Sequence, residues 1–267
     1  MAPAPSDTLR RETAALVAGA ADEGMTLRVT GSMGIAMHCA EASAAMDAAE
    51  RRAKDIDVVV KQSDRTRLRE WLEARGWAVD RDLLVAMEGE RFAFHHPESG
   101  LDLDVFVERL EFCHTIELED RWARHATTLP IEDLLLQKLQ IHELKPADAI
   151  DAAIVLATHD VGVGGDGVDG NGDDGERIDC EYVAAVLARD WGFHRDATAN
   201  LERVAGAAAT DGALPIAPDR AARARDGARR LLHAIGAAKK SRGFRMRARV
   251  GERMQWWEDV SEREDTY

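Results

Sequence analysis

The sequence predicts an α/β (α+β) fold: a small mixed β-sheet with flanking helices, followed by a helical C-terminal region. Three observations carry this. Up to about residue 118, stretches with helical spacing alternate with short apolar runs rich in valine, isoleucine and leucine. Beyond about residue 120, apart from a Gly/Asp-rich stretch at 161–177, the apolar spacing is helical. The chain, at 267 residues, is long enough to bury a sizeable core in one large domain or two small ones.

Taken in order, Leu9, Ala14, Leu16 and Val17 give residues 7–23 a helical apolar face, with Ser6 as N-cap. MTLRVTG is a short strand stopped by Gly31. GSMGIAMHCAEASAAMDAAERR is a turn opening an alanine-rich helix, and KDIDVVV is a second strand. SDRTRLREWLEARGW is a helix capped by Ser63 or Asp64 and ended by Gly76. Strands are expected at Leu83–Met87 and Arg91–His95, then a turn at HPESG and a strand at LDLDVFV. TTLPIEDLLLQKLQIHEL then reads as a helix, with Thr128 as cap, Pro130 in its first turn, and Glu132 and Asp133 at the end that favours acids. KPADAIDAAIVLATHD, DCEYVAAVLARDWGF and HRDATANLERVAGAA continue the helical half. Residues 161–177 form an acidic Gly/Asp-rich loop that lacks the ligand spacing of a calcium-binding loop. The expected organisation is an α/β core over 1–120, a helical extension over 121–160, that loop, and a helical region over 178–267.

Composition narrows the function classes. Apolar and charged contents of 45% and 31% are those of a globular chain. No apolar run approaches the roughly 18 residues of a membrane span. The N-terminus lacks the basic start, apolar core and cleavage site of a signal peptide, so the cytoplasm is the expected location. Three widely spaced cysteines match neither a disulfide framework nor a paired metal motif. The net charge of −14 argues against a body that wraps nucleic acid non-specifically. Residues 219–253 are the exception: twelve Lys/Arg against three Asp/Glu give this segment +9 and leave −23 for the rest. It reads as an amphipathic helix whose cationic face either lies against the acidic body or attracts an anionic acceptor such as RNA.

Chemistry enters with KDIDVVV. In a strand Asp55, Asp57 and Val59 share one face, while Ile56, Val58 and Val60 share the other. Two acids on one face of an apolar strand repel each other unless a cation lies between them. LDLDVFV repeats the pattern with Asp102 and Asp104, and strand alternation alone does not separate these two. VTGSMG sits at a strand-to-helix turn, where glycine admits a close ligand, Ser32 offers a hydroxyl, and a helix N-terminus favours an anion. Such a turn followed by aspartates on two strands suits a divalent metal carrying a nucleoside triphosphate, because Mg²⁺ is held by one or two carboxylates plus substrate phosphates.

These stretches resemble the polymerase-β-type nucleotidyltransferase superfamily, most closely its small bacterial and archaeal members of toxin-like or antibiotic-modifying type. LPIEDLLLQKLQIHELKPADAIDAAIVL is similar to the helical region that follows the core there. The resemblance covers residues ~25 to 160. It implies that Gly31 and Ser32 bind the triphosphate, that Asp55 and Asp57 ligate Mg²⁺ (or Mn²⁺), and that Asp104 is the third carboxylate and a base toward the acceptor. It further implies that Lys138 touches a phosphate and that Asp148 or Asp151 contacts the nucleotide or acceptor. Asp55 follows Gly31 by 24 residues, a longer gap than the family usually has, so EASAAMDAAERR is a longer helix or an inserted loop. The implied activity is transfer of a nucleoside monophosphate from an NTP such as ATP to a hydroxyl of a small molecule, protein or RNA. The alternatives are a catalytically silent nucleotide-binding regulatory or toxin–antitoxin module of the same fold, and an RNA-directed transferase.

Overall fold

The alternation in the first half of the sequence builds a five-stranded mixed sheet. The computed structural model describes residues 5–39, 55–164 and 176–259, so EASAAMDAAERR and most of the acidic loop lie outside the described residues. The chain divides into two units, Met1–Leu110 with Glu117–Pro130, and Glu111–Ile116 with Ile131–Tyr267. The division thus falls at Pro130, with a short excursion at 111–116, where the sequence suggested a core ending at residue 120.

In the first unit the order is α1 (Pro5–Asp22), β1 (Leu27–Val29), α2 (Gly31–His38), β2 (Ile56–Val60), α3 (Arg65–Glu73), β3 (Ala78–Val79), α4 (Arg81–Ala86), β4 (Arg91–His96) and β5 (Leu101–Val107). The strands lie in the order β1-β2-β5-β4-β3. Only β2 and β5 run parallel; the other neighbours are antiparallel. Register explains the apolar alternation. Val29, Val58, Val105 and Phe92 align across four strands, and with Leu27, Val60 and Val107 they form one face. Leu9, Leu16 and Val17 of α1 and Leu68 and Leu72 of α3 pack into the same core. The opposite face carries Arg28, Asp57, Val59, Asp104, Phe106, Arg91 and His95. Acids and bases therefore share the face away from this core.

One expected strand is a helix. Leu83 to Ala86 belong to α4, because the Asp80 carboxylate accepts the backbone N–H of Asp82 at 3.1 Å and of Leu83 at 3.0 Å. An N-cap starts a helical turn where the apolar run alone reads as extended. Two small sheets were not foreseen: β6 (Arg109–Glu111) with β7 (Thr115–Glu117), and, in the second unit, β8 (Asp160–Gly162) with β9 (Arg177–Asp179). Strands of three residues are too short to show a period.

The second unit contains α5 (Ile131–Leu139), α6 (Pro146–Thr158), α7 (Cys180–Leu187), α8 (Trp191–Ala209), α9 (Pro218–Ala237) and α10 (Arg242–Val250). Every residue of α5 is buried, and α9 packs against α6, α7 and α8. The break between α7 and α8 is set by Asp190, whose carboxylate caps α8 by accepting Phe193 N–H at 2.8 Å. Asp196 of α8 is a buried hub: it accepts from Trp256 Nε1 at 3.0 Å and bonds His114 Nε2 at 2.8 Å and His142 Nδ1 at 3.0 Å. Burial alone would raise its pKa; hydrogen bonds from His114, Trp256 and His142 outweigh that and hold it below the ordinary value. The three cysteines are free thiols. No helix among the described residues is long and apolar enough to cross a membrane.

Candidate functional site

The site is built where β1 turns into α2. Thr30 donates its N–H to the backbone oxygen of Asp57 at 2.9 Å and accepts Gly34 N–H at 3.0 Å, which lays the turn across β2. Gly31 follows with φ +63°, a left-handed conformation that glycine adopts without strain. A β-carbon added there would stand 2.1 Å from Asp57 Oδ2, so no other residue fits. Gly31 and Asp57, 26 positions apart in sequence, are thus packed against each other. Ser32 is half-buried on the first turn of α2.

Asp57 and Asp104 are directly opposed on the parallel strands β2 and β5, and such strands lie about 4.8 Å apart. Of the two acids on β5, it is Asp104 that stands opposite Asp57. Asp102 is opposed by His95 on β4 and bonds its Nδ1 at 2.9 Å in an exposed pair. Asp55 is exposed and precedes β2 by one residue.

Arg91, which sequence reasoning passed over, belongs to the same cluster. Its Nη2 donates to Asp104 Oδ2 at 2.9 Å, and its guanidinium lies 5.0 Å from the Phe106 ring centroid. The other oxygen, Asp104 Oδ1, is buried with no hydrogen-bond partner among the described residues, and so is Arg91 Nε. A buried carboxylate oxygen left unpaired is costly. Arg28, beside Val59 on the same face, donates to the backbone oxygens of Leu27 at 2.8 Å and Trp122 at 2.7 Å. Burial lowers its pKa from the usual arginine value. The alternation Arg91, Ala93, His95 was the signal available for Arg91, but only the pairing of β4 with β5 shows which acid it meets.

Lys138 lies in the second unit, on α5. Its ammonium bonds Asp148 at 2.8 Å and Asp151 at 3.1 Å, both on α6. Burial would lower its pKa; the charges of Asp151 and Asp148 outweigh that and hold it above the ordinary lysine value. Three residues named separately from the sequence therefore form one buried ionic cluster. An open groove of about 540 Å³ in the same unit is floored by alanines, among them Ala184, Ala188 and Ala234, and brings no acid pair together.

The donor set of the first unit fits a hard divalent cation. Asp57 and Asp104 supply oxygens on one face, Asp104 Oδ1 has no hydrogen-bond partner among the described residues, and the glycine turn leaves backbone, not side chain, beside Asp57. No family model, curated protein or solved structure matches the chain.

Proposed function

We propose that the chain is a metal-dependent nucleotidyltransferase, moving a nucleoside monophosphate from an NTP to an acceptor hydroxyl. The observation that supports this best is the opposed pair Asp57 and Asp104, with Gly31 packed on the first and, on the second, an oxygen that has no partner among the described residues. In the reaction the acceptor oxygen bonds the α-phosphorus, the bond from that phosphorus to the bridging oxygen breaks, and pyrophosphate leaves. Asp55, Asp57 and Asp104 would hold Mg²⁺ or Mn²⁺, which when bound neutralises phosphate charge and polarises the reacting phosphorus. The Gly31–Ser32 turn would receive the triphosphate at the N-terminus of α2. Asp104 would take the proton of the attacking hydroxyl, while Arg91 orients its carboxylate.

The Arg91–Asp104 ion pair also favours a second reading, a nucleotide-binding module without catalysis, because a fixed arginine supplies positive charge where a metal would. Calorimetric titration of each NTP with and without Mg²⁺, alongside pyrophosphate release, separates the two. Wild type should bind Mg–NTP and release pyrophosphate. Asp57→Asn/Asp104→Asn should lose release by at least about 100-fold with its circular dichroism unchanged. Binding without release on any hydroxyl acceptor supports the silent module, and absence of Mg–NTP binding overturns both readings.

A further inference from the structure

The second unit carries a feature that the reaction above does not use. Helix α10 has four arginines, and they divide sharply by role. Arg247 is turned inward: it donates to the backbone oxygens of Gly251 at 2.7 Å and Met254 at 2.8 Å, and lies 4.9 Å from the Trp191 ring centroid. Arg242, Arg245 and Arg249 are exposed, and their side chains make no hydrogen bond or ion pair among the described residues. Spaced i, i+3 and i+7, they fall within about 60° of one another around the helix and span roughly 10 Å along it. Lys239, just before the helix, is exposed as well.

Helix stability accounts for Arg249, which lies in the last turn, but not for Arg242 and Arg245. Ser241 caps α10 by accepting Phe244 N–H at 3.0 Å, and the first turn then contains Arg242 and Arg245. Cations there oppose the helix dipole. The stripe also stands in a segment of charge +9 within a chain of net charge −14.

We infer that this arginine stripe is a docking surface for single-stranded nucleic acid, held through its phosphates. Guanidinium forks match phosphate oxygens, and a flexible strand can follow a stripe this short. A lipid surface is disfavoured because the apolar side of α10 is already used. Phe244 is buried, which leaves Met246 as the large apolar residue exposed on the helix. The surface is independent of the transferase reading.

The test is fluorescence anisotropy of the full chain with a labelled 20-nucleotide oligo(U), repeated with a labelled polyglutamate peptide and with phosphatidylserine vesicles. Wild type should bind the oligonucleotide with affinity falling steeply as salt rises. Arg242→Glu/Arg245→Glu/Arg249→Glu should weaken binding at least about tenfold and lower the log–log salt slope by about 2, the value for three lost phosphate contacts on a single strand. The matching Arg→Lys triple should keep most of the binding. The charge-matched control Arg11→Glu/Arg67→Glu/Arg75→Glu, on exposed sites of the first unit, should bind as wild type does. Absence of oligonucleotide binding overturns the inference, as does equal loss in the control triple. Binding of the peptide or the vesicles in place of the oligonucleotide overturns it in favour of those partners.

Discussion

Replacing one hydrogen at Gly31 by a methyl group probes the packing of the candidate site. Alanine would be held at φ +63° and its β-carbon driven to 2.1 Å from Asp57 Oδ2. The left-handed backbone alone costs about 1–2 kcal/mol, and the overlap adds to it. Gly31→Ala should therefore destabilise the first unit by at least about 2 kcal/mol in urea titration. A loss within error of zero would mean that the turn moves freely away from β2. Gly31 and Asp57 could be singled out as candidates because glycine at a strand end and acids in an apolar strand run against local preference, whereas the pattern left Asp102 and Asp104 open and only the resemblance chose between them. Arg91 could not, since an arginine in a strand is unremarkable until its cross-strand neighbour is known. Lys138 was legible as a candidate, but its buried partnership with Asp148 and Asp151 depends on how α5 and α6 pack.

Among the elements, α8 and α10 meet where the His194 ring stands edge-on to Phe244 at 5.1 Å. Burial, together with the charges of Lys240 and Arg195, lowers the His194 pKa from 6.5 to about 4. The folded state therefore keeps this imidazole neutral, while the unfolded chain takes up a proton first on acidification. Its contribution to stability is complete above pH 6.5 and is lost as pH falls from there toward about 4. After discounting for partial exposure, the loss is of the order of 1 kcal/mol. Urea midpoints between pH 7 and 4 should fall for wild type, and His194→Gln should flatten that slope. An unchanged slope in the variant would assign the pH dependence to other groups. The helix start at Pro146 and the strands IDVVV and LDLDVFV were readable because caps and periods are local signals. The helix at Leu83 and the division of the DCEYVAAVLARDWGF stretch into α7 and α8 were not, because a single carboxylate in each case decides between two local patterns.

At the scale of the molecule, the α+β architecture follows from the change from alternating to helical patterning, whereas the partition into units does not. The segment Glu117–Pro130 rejoins the first unit after the chain has contributed Glu111–Ile116 to the second, and a return of this kind has no periodic signature. Its work is done at β1: Val29 N–H donates to Thr127 O at 2.9 Å, and Leu129 N–H donates to Val29 O at 2.9 Å. The outer edge of β1 is thereby closed by chain made about a hundred residues later. During synthesis, then, the β1 edge of the sheet must wait for its cover, and bare edges recruit other strands. A fragment ending at Leu110 should scatter light and associate at concentrations where one ending at Pro130 stays dispersed; equal behaviour would show that Thr127–Leu129 is ornamental. The stretch that lies in sequence between two pieces of the second unit acts as the selvedge of the first, keeping the sheet from unravelling into its neighbours until the weave is complete.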